Sequence, residues 1–503
     1  MSTPEASPSA PEGSVPNPTS ELTPAEIFGP FEDAPRKPRR DDRFEITAEG
    51  LDERGLGRAT VGIYPVRLAR VLPGERVLAQ VVKRRRNGID ARVLERLAPS
   101  PDAVEARCPH TRDCGGCRFQ ELAVPRQLEE KRRLAERMLE PLADQLPGEL
   151  PGVVPSPKIY HYRNKMDFTF AAARWTEAED DGRRTDFALG LHAPGRHDKG
   201  LDVLACAIAF EGADRLLATV RELALASPLE PWNTNDHTGH LRHLVVRRGE
   251  HTGELLVDLV TAEGCDEEVD ALAAELLARH REITTLVHNA TDRLSSVAIG
   301  ERERVLFGPG HLRERLGDLE FQISAESFFQ TNTLAAEQLI TTAGEFLAPS
   351  SEPGQAGVLW DVCCGTGTFG LALAKRFEQI LGVELSESAV RDARQVAERN
   401  GIANARFEVA DAKAALVGGE LDWPRPDAVL CDPPRAGLPA GVAAAVAAAE
   451  PERVGYVSCN LRSAVRDLPA FLEAGYRIAQ VDLFDLFPHT PHLEAFFGLE
   501  RPR

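Results

Sequence analysis

From about Leu319 to the end of the chain, short apolar strand-like runs alternate with helical segments, and no other feature constrains the fold as much. The runs VLWDVCC, ILGVELS, ARFEVADA, DAVLCDPP and RVGYVSCN are separated by stretches such as SAVRDARQVAERNG, whose apolar residues recur at helical period. Strand and helix in regular succession predict a parallel sheet covered by helices on both faces. The expected class is α/β, with a doubly wound, Rossmann-like domain over 321–503. Ligands in such sheets sit at the carboxyl ends of the strands. The candidate chemical residues of this half of the chain all lie there.

The first strand runs into Asp361-Val-Cys-Cys-Gly365-Thr-Gly367-Thr-Phe-Gly370, which opens a helix. Its glycines let the backbone approach a ligand closely and present helix N-terminal amides. Cys363, Gly365, Gly367 and Thr368 are the candidate cofactor contacts on this loop. Glu384, 19 residues after Gly365 at the end of the next strand, is placed to accept from ribose hydroxyls. Taken alone, the loop suits a nicotinamide dinucleotide as well as S-adenosylmethionine. The other strand ends separate the two. Asp411 closes the third strand, toward an adenine edge, and Asp432-Pro433-Pro434-Arg435 closes the fourth. Two prolines fix an extended chain and remove two backbone donors, so the Asp432 carboxylate points rigidly into the cleft. A plain structural turn is the bland alternative.

Ser458-Cys459-Asn460 ends the fifth strand. A lone cysteine at a strand end is usually a small buried apolar residue. In this fold, though, the strand end faces the cofactor cleft. A thiolate there suits methyl transfer to carbon 5 of uracil, a poor nucleophile on its own. Addition of sulfur to carbon 6 makes carbon 5 enolate-like, and a base must then remove the carbon 5 proton so that the thiol can leave. Cys459 is the candidate nucleophile. Glu494, in Phe487-Pro-His489-Thr-Pro-His492-Leu-Glu494, is the candidate base, with His489 and His492 competing for the role. It stands between a proline-rich turn and the apolar run AFF, where burial would raise its pKa. His489, His492 and Glu494 also form a metal-ligand set by residue type. Cytosine-directed enzymes often carry a cysteine directly after the Pro-Pro pair, and amino-group methylases an aromatic residue there. Arg435 fits neither.

With 503 residues the chain is too long for one core. Residues 1–40, rich in Pro, Ser, Glu and Thr, are expected to be a disordered tail. Over 41–99, FEITAEG, GRATVGIYPVRLARV, RVLAQVVKRR and IDARVLERL are broken by turns at Gly55, Pro73-Gly74 and Asn87-Gly88, which predicts a small β-barrel of the oligonucleotide-binding kind. The net charge of −19 argues at first against a nucleic-acid partner. Residues 35–99, however, carry 16 Lys and Arg against 9 Asp and Glu. Attraction to phosphate is local, over about 10 Å at cellular salt, so a basic module can work on an acidic body. Lys83-Arg84-Arg85-Arg86 beside the Asn87-Gly88 turn is either a phosphate grip or a solvated hairpin tip.

Residues 100–320 are predicted to form an α+β central domain. LRHLVVRRG and ELLVDLVTAEG read as a hairpin, EEVDALAAELLARHR as a helix, 128–142 as a helix with a basic face (Lys131, Arg132, Arg133), and 175–186 as an acidic surface loop. Nine cysteines, with Cys108, Cys114 and Cys117 grouped, make a poor disulfide framework and point to metal binding or chemistry. The longest uncharged apolar run, 437–449, has 13 residues and contains Pro439, too short to span a bilayer. The first 40 residues lack a secretory core, so the expectation is a cytoplasmic protein with no membrane partner and no evident obligate protein partner.

These motifs, in this order, resemble the RNA (uracil-5-)methyltransferase family, and particularly its iron–sulfur branch that methylates 23S ribosomal RNA. The resemblance spans about 44–503. LDERGLGRATVG and VLPGERVLAQV look like its small RNA-binding barrel, the TRAM domain. Cys108-x5-Cys114-Gly-Gly-Cys117-Arg-Phe-Gln is similar to its cluster motif, VLACAI supplies Cys206 as the implied fourth ligand, and Tyr162-Arg163-Asn164-Lys165-Met166 matches its RNK segment. SFFQTN implies Gln330 as a donor-binding residue beside Glu384, Asp411 and Asp432. VSCN implies Cys459 as nucleophile, and FPHTPHLE implies Glu494 as general base.

By this resemblance the donor is S-adenosylmethionine and the partner is RNA, ribosomal RNA before transfer RNA. Spacing alone leaves zinc and an iron–sulfur cluster open for the four cysteines, since both accept four thiolates. The resemblance implies a structural [4Fe-4S] cluster, with zinc the lesser reading. One departure is visible: Cys363 stands where the family's loop usually has an aromatic residue, which touches donor affinity rather than reaction type. Two rival classes remain, a nicotinamide oxidoreductase and a non-catalytic RNA-binding protein. The first leaves Cys459 and Asp432-Pro-Pro unexplained, and intact Cys459, Glu494 and Gln330 argue against the second.

Overall fold

The computed structural model describes residues 38–176, 182–193, 195, 198–294, 298–349, 356–419 and 421–502. The predicted tail up to residue 37, and 177–181 of the predicted acidic loop, lie outside the described residues. The chain divides into two compact units, one reaching Ala103 and the other comprising Val104–Arg503 with Glu53–Gly55.

In the first unit six strands pair in the order Arg43–Thr47, Arg76–Arg85, Gly88–Ala98, Tyr64–Leu68, Gly57–Val61 and Gly50–Leu51. Alternate side chains turn inward, so Phe44 and Ile46 are buried while Glu45 and Thr47 face solvent. Phe44, Val66, Val77, Val81 and Ile89 are fully buried in its core. GRATVGIYPVRLARV, which reads as one run, is two strands, because Gly62 takes φ +57° and turns the chain beside an exposed Ile63. Register shifts along Arg76–Arg85 and Gly88–Ala98 bend the sheet toward a barrel. Lys83, Arg84, Arg85 and Arg86 stand exposed at the tip of that hairpin.

The second unit holds two large sheets. The first runs Gly200–Asp202, Ala188–His192, Lys165–Ala171, Leu241–Arg248, Leu255–Thr261, Ile283–Ala290, Arg302–Phe307. Its one parallel pair, Leu255–Thr261 with Ile283–Ala290, is bridged by the helix Asp266–Arg279. Leu272 and Leu276 of that helix, with Leu216 and Val220 of Ala213–Ala226, pack against Phe168, Leu244, Val257 and Leu286 of the sheet.

The second sheet runs Ala405–Val409, Phe377–Glu384, Ala356–Val362, Ala428–Cys431, Arg453–Ser458, Glu494–Glu500, Arg477–Phe484, Val153–Val154. The first five strands are parallel and Glu494–Glu500 enters antiparallel to Arg453–Ser458. This is the doubly wound α/β sheet that the strand–helix alternation predicts. Phe496 and Phe497 are fully buried on its two faces, each contributing about 2–3 kcal/mol of apolar burial. Asn332, Ser386 and Asn460 cap the helices that follow them, each accepting from a backbone amide two or three residues on, a contribution of about 1 kcal/mol.

Three expectations are corrected. The helix predicted over 128–142 spans Val124–Leu139, because Pro125 sits in the first turn, where its missing N–H costs nothing. Lys131 does not belong to a solvent-facing basic stripe; it is buried against Asp485. Val153–Val154 is an edge strand of the carboxy-terminal sheet, parallel to Arg477–Phe484, and Ala135, Leu139 and Leu150 pack into that sheet's core. The stretch 124–154, assigned to a separate central domain by its sequence, therefore helps build the carboxy-terminal core. Among the described residues no helix is long and apolar enough to cross a membrane.

Candidate active site

Strand Ala356–Val362 ends at Cys363, which takes φ +64°, followed by Gly365 at +52° and Gly367 at +72°, the cap of the short helix Thr368–Leu373. A Cβ on Gly365 would meet nothing within 4 Å, so the backbone there borders open space; one on Gly367 would strike Phe407 at 2.9 Å. Glu384 accepts from the Gly365 N–H (3.1 Å) and from the Ser386 N–H (2.9 Å), which sets its carboxylate beside the opening. Thr368 Oγ1 lies 3.1 Å from Thr366 Oγ1. Asp411 is exposed, and one of its oxygens accepts from the Lys413 and Ala414 N–H groups (2.7 and 3.2 Å). Asp361, which the sequence reading passed over, is buried and accepts from the Gly370 N–H at 3.0 Å; burial lifts its carboxyl to about 7.

At the fourth and fifth strand ends the candidate reacting groups meet. Antiparallel pairing sets Ser458 opposite Ala495, so Cys459 and Glu494 stand side by side one step further on. Cys459 is half-buried; burial and the Glu494 carboxyl push its thiol up to about 11, with Arg435 opposing. Glu494 is buried, and desolvation with Asp432 nearby lifts it to about 8, again opposed by Arg435. Desolvation raises Asp432 to about 7. One thiol and two carboxyls of raised pKa, with a guanidinium acting on the thiol and on Glu494, are the kind of convergence that marks a candidate reactive cleft.

Two residues not singled out from the sequence hold these turns. Asn460 donates through Nδ2 to the Arg435 carbonyl (2.8 Å), tying the strand end that carries Cys459 to the Pro-Pro turn. Asp467 accepts from the Tyr456 hydroxyl (2.8 Å) and the Leu438 N–H (2.7 Å) on the far side of that turn. Adjacency to Cys459 was the signal available for Asn460; Asp467 had none.

Of the three base candidates, strand register brings Glu494 to Cys459. His489 is turned into the core, stacked on Tyr160 at 4.6 Å and held neutral, its pKa lowered to about 4 by burial. His492 is likewise lowered to about 4, by desolvation and then by Arg435. Gln330 is half-buried in the loop before the helix Thr333–Leu347, with exposed Phe328 two residues before it. Asn164 shapes that loop: its Nδ2 donates to the Gln330 carbonyl (2.8 Å) and its N–H to the Thr331 carbonyl (2.9 Å).

The cysteine set comes from two segments. Cys108, Cys114 and Cys117 lie within electrostatic reach of Cys206; burial is the main cause that lifts Cys117 to about 12 and Cys206 to about 11, with neighbouring thiols adding to both. Gly116 N–H donates to Cys114 Sγ (3.3 Å) and Gln120 Nε2 to Cys117 Sγ (3.2 Å). Among the described residues, no three or more His, Cys, Asp or Glu side chains are arranged to hold a metal ion, neither this set nor His489, His492 and Glu494. A cavity of about 600 Å³, lined in part by Asp318, Glu337, Lys375 and Asn400, contains none of the residues above.

A family model described as tRNA (uracil-5-)-methyltransferase matches residues 251–502. A protein of Chlorobaculum tepidum described as an uncharacterized RNA methyltransferase is 36% identical over 486 residues, covering 94% of this chain and 99% of its own. Another from Caldanaerobacter subterraneus subsp. tengcongensis is 36% identical over 91% of this chain and 98% of its own. The solved structure of the Pyrococcus abyssi tRNA (uracil-54, C5)-methyltransferase, in complex with S-adenosyl-L-homocysteine, superposes with a TM-score of 0.71 at 28% identity, over 90% of this chain and 100% of that one. Doubly wound sheet, strand-end cleft and relatives together define an S-adenosylmethionine-dependent RNA methyltransferase. The chain belongs to the tRNA (uracil-5-)-methyltransferase family. The nicotinamide reading of the glycine loop falls with that result.

Proposed function

We propose that this chain methylates carbon 5 of a uridine in RNA through a transient bond between Cys459 and carbon 6. The observation that carries the reading is the strand register that sets Cys459 beside Glu494 at the carboxyl end of the sheet. The opening at Gly365 beside the Glu384 carboxylate fits an adenosine-bearing donor, with Gln330, Cys363, Gly367, Thr368, Asp411 and Asp432 as the remaining proposed contacts. S-adenosylmethionine, when bound, supplies an electrophilic sulfonium methyl group.

Cys459 adds as thiolate to carbon 6, and the electron pair of the ring double bond shifts to leave carbon 5 enolate-like, able to take the methyl group. Glu494 then removes the carbon 5 proton. The freed C–H pair restores the carbon 5–carbon 6 double bond, and the carbon–sulfur pair returns to Cys459. A carboxyl lifted to about 8 is a stronger base than an ordinary one, which suits this step. Arg435 favours the anionic form of both groups. The target base must leave its stack to enter the cleft. The barrel-like unit, similar to a TRAM domain, is the proposed RNA-binding module, with exposed Lys83, Arg84 and Arg86 gripping phosphate.

Cys108, Cys114, Cys117 and Cys206 are proposed to hold a structural [4Fe-4S] cluster, with zinc the lesser reading. The reading rests on the resemblance of the cysteine motif, with an N–H donor at two of the sulfurs as the structural support, although the described side chains do not converge as a metal site. Iron and sulfide analysis of anaerobically purified protein tests it: a colourless zinc protein overturns the cluster.

Ribosomal RNA is the proposed substrate, on the resemblance of the cysteine motif. The second reading is transfer RNA, favoured by the likeness to the Pyrococcus abyssi tRNA (uracil-54, C5)-methyltransferase. Mapping 5-methyluridine by mass spectrometry in RNA from cells with and without the protein tests both. Loss confined to 23S ribosomal RNA is expected. Loss in transfer RNA establishes the second reading, and loss in neither overturns the function.

A further inference from the structure

The loop that delivers Glu494 is gripped at every residue from 485 to 489 by side chains distant in sequence. Asp485 donates its N–H to the Val154 carbonyl (2.9 Å), and its buried carboxylate pairs with Lys131. The Leu486 carbonyl accepts from Asn332 Nδ2 (2.8 Å), that of Phe487 from Lys131 Nζ (3.1 Å), and that of Pro488 from the Tyr162 hydroxyl (3.1 Å). His489 donates its N–H to Gln127 Oε1 (3.0 Å) and accepts at its carbonyl from the Arg118 N–H (2.8 Å). Gln127, itself 1% exposed, also places Nε2 3.1 Å from the His489 ring Nδ1 and 2.7 Å from the Leu122 carbonyl.

Two features exceed what a turn needs in order to fold. His489 sits at φ +66°, a conformation that costs a side-chain-bearing residue free energy and persists only where its surroundings impose it. A buried Lys–Asp pair is weak support for stability, because desolvation offsets its attraction. What the grip does fix is where the following strand begins, and Glu494 is that strand's first residue. Cys459 and the Asp432 turn are fastened by a different set, Asn460 and Asp467.

Resting on the reading of Glu494 as general base, we propose that Gln127 and Lys131 are positioning residues for proton removal, holding the 485–489 loop so that the Glu494 carboxylate meets carbon 5. Neither touches the reacting atoms. Their loss would leave thiol addition and methyl transfer in place and slow the later removal of the carbon 5 proton with expulsion of Cys459.

Gln127→Leu, which deletes both polar groups at similar volume, separates these steps. The probes are ribosomal and transfer RNA transcribed in vitro with tritium at carbon 5 of uridine, and donor labelled with carbon-14 in its methyl group. Carbon-14 reaching RNA reports methyl transfer; tritium reaching water reports proton removal. In a single turnover with enzyme in excess over RNA, the expected result is carbon-14 transfer near the unaltered rate and tritium release slowed about 100-fold, with a denaturant-resistant protein–RNA adduct accumulating. An equal fall in both labels, the mark of a purely structural role, overturns the proposal, as does unchanged tritium release. If Gln127→Leu does not fold, the double variant Lys131→Met with Asp485→Asn removes both buried charges together and is read in the same way. Loss of donor binding in both variants assigns the residues to folding and overturns the positioning role. Unaltered protein that methylates neither RNA, or Cys459→Ala that still does, refutes instead the underlying reading of the site.

Discussion

Cys459 and the set Cys108, Cys114, Cys117 and Cys206 are thiols in the same compact unit, yet their surroundings differ in kind. Cys459 answers to two carboxyls and a guanidinium. The other four answer to one another and to amide donors aimed at sulfur. Burial raises the pKa in both places, so burial does not distinguish them. Neighbours do. A thiol beside a base and a cation can exchange a proton and a carbon bond within each turnover, whereas thiols in one another's field ionise together when a cationic group neutralises them.

The comparison breaks most sharply at Cys459. Cys459→Ala is expected to lower methyl transfer by about 10⁴-fold or more while leaving donor binding and iron content unchanged. Radiolabelled methyl incorporation, equilibrium donor binding and iron analysis measure the three. A variant retaining a tenth of the activity would erase the distinction. Cys117→Ser is the converse: the iron and visible absorption of the proposed cluster are expected to disappear, with turnover reduced about 10–100-fold and the proposed covalent adduct at Cys459 still forming. Retained iron, or complete loss of the adduct in folded protein, contradicts the division of labour.

The smallest effect is expected from pH. Glu494, lifted to about 8, must lose its proton to act as base, so its active form grows as pH rises. Proton removal should increase about 10-fold between pH 7 and pH 9, and Glu494→Gln should abolish the rise while adduct accumulates. Tritium release measured across that range checks it. A rate that falls with rising pH removes Glu494 from the role.

The doubly wound sheet was legible because its signals are local. Each parallel strand is a short apolar run ending in a turn residue, and Asp432-Pro-Pro and Ser458-Cys459-Asn460 announce themselves at those ends. What holds the site together was not legible. Gln127 meets His489 across 362 positions and Lys131 meets Asp485 across 354, and no periodicity encodes such contacts. Lys131 sits between charged neighbours on an amphipathic helix, so local pattern placed it in solvent, and the partner that draws it inward lies near the other end of the chain. Val153–Val154, two residues long, is too short to show a strand period.

The central claim is a transient bond from Cys459 to a pyrimidine. Peptide mass spectrometry of the protein after incubation with S-adenosylmethionine and RNA carrying 5-fluorouridine tests it most directly. Fluorine at carbon 5 cannot be withdrawn as a proton, so the methylated intermediate stays attached. The predicted result is one nucleotide bearing both methyl and fluorine on the peptide that contains Cys459. Attachment to a different cysteine, or a bare Cys459 peptide in protein that methylates ordinary uridine, would contradict it.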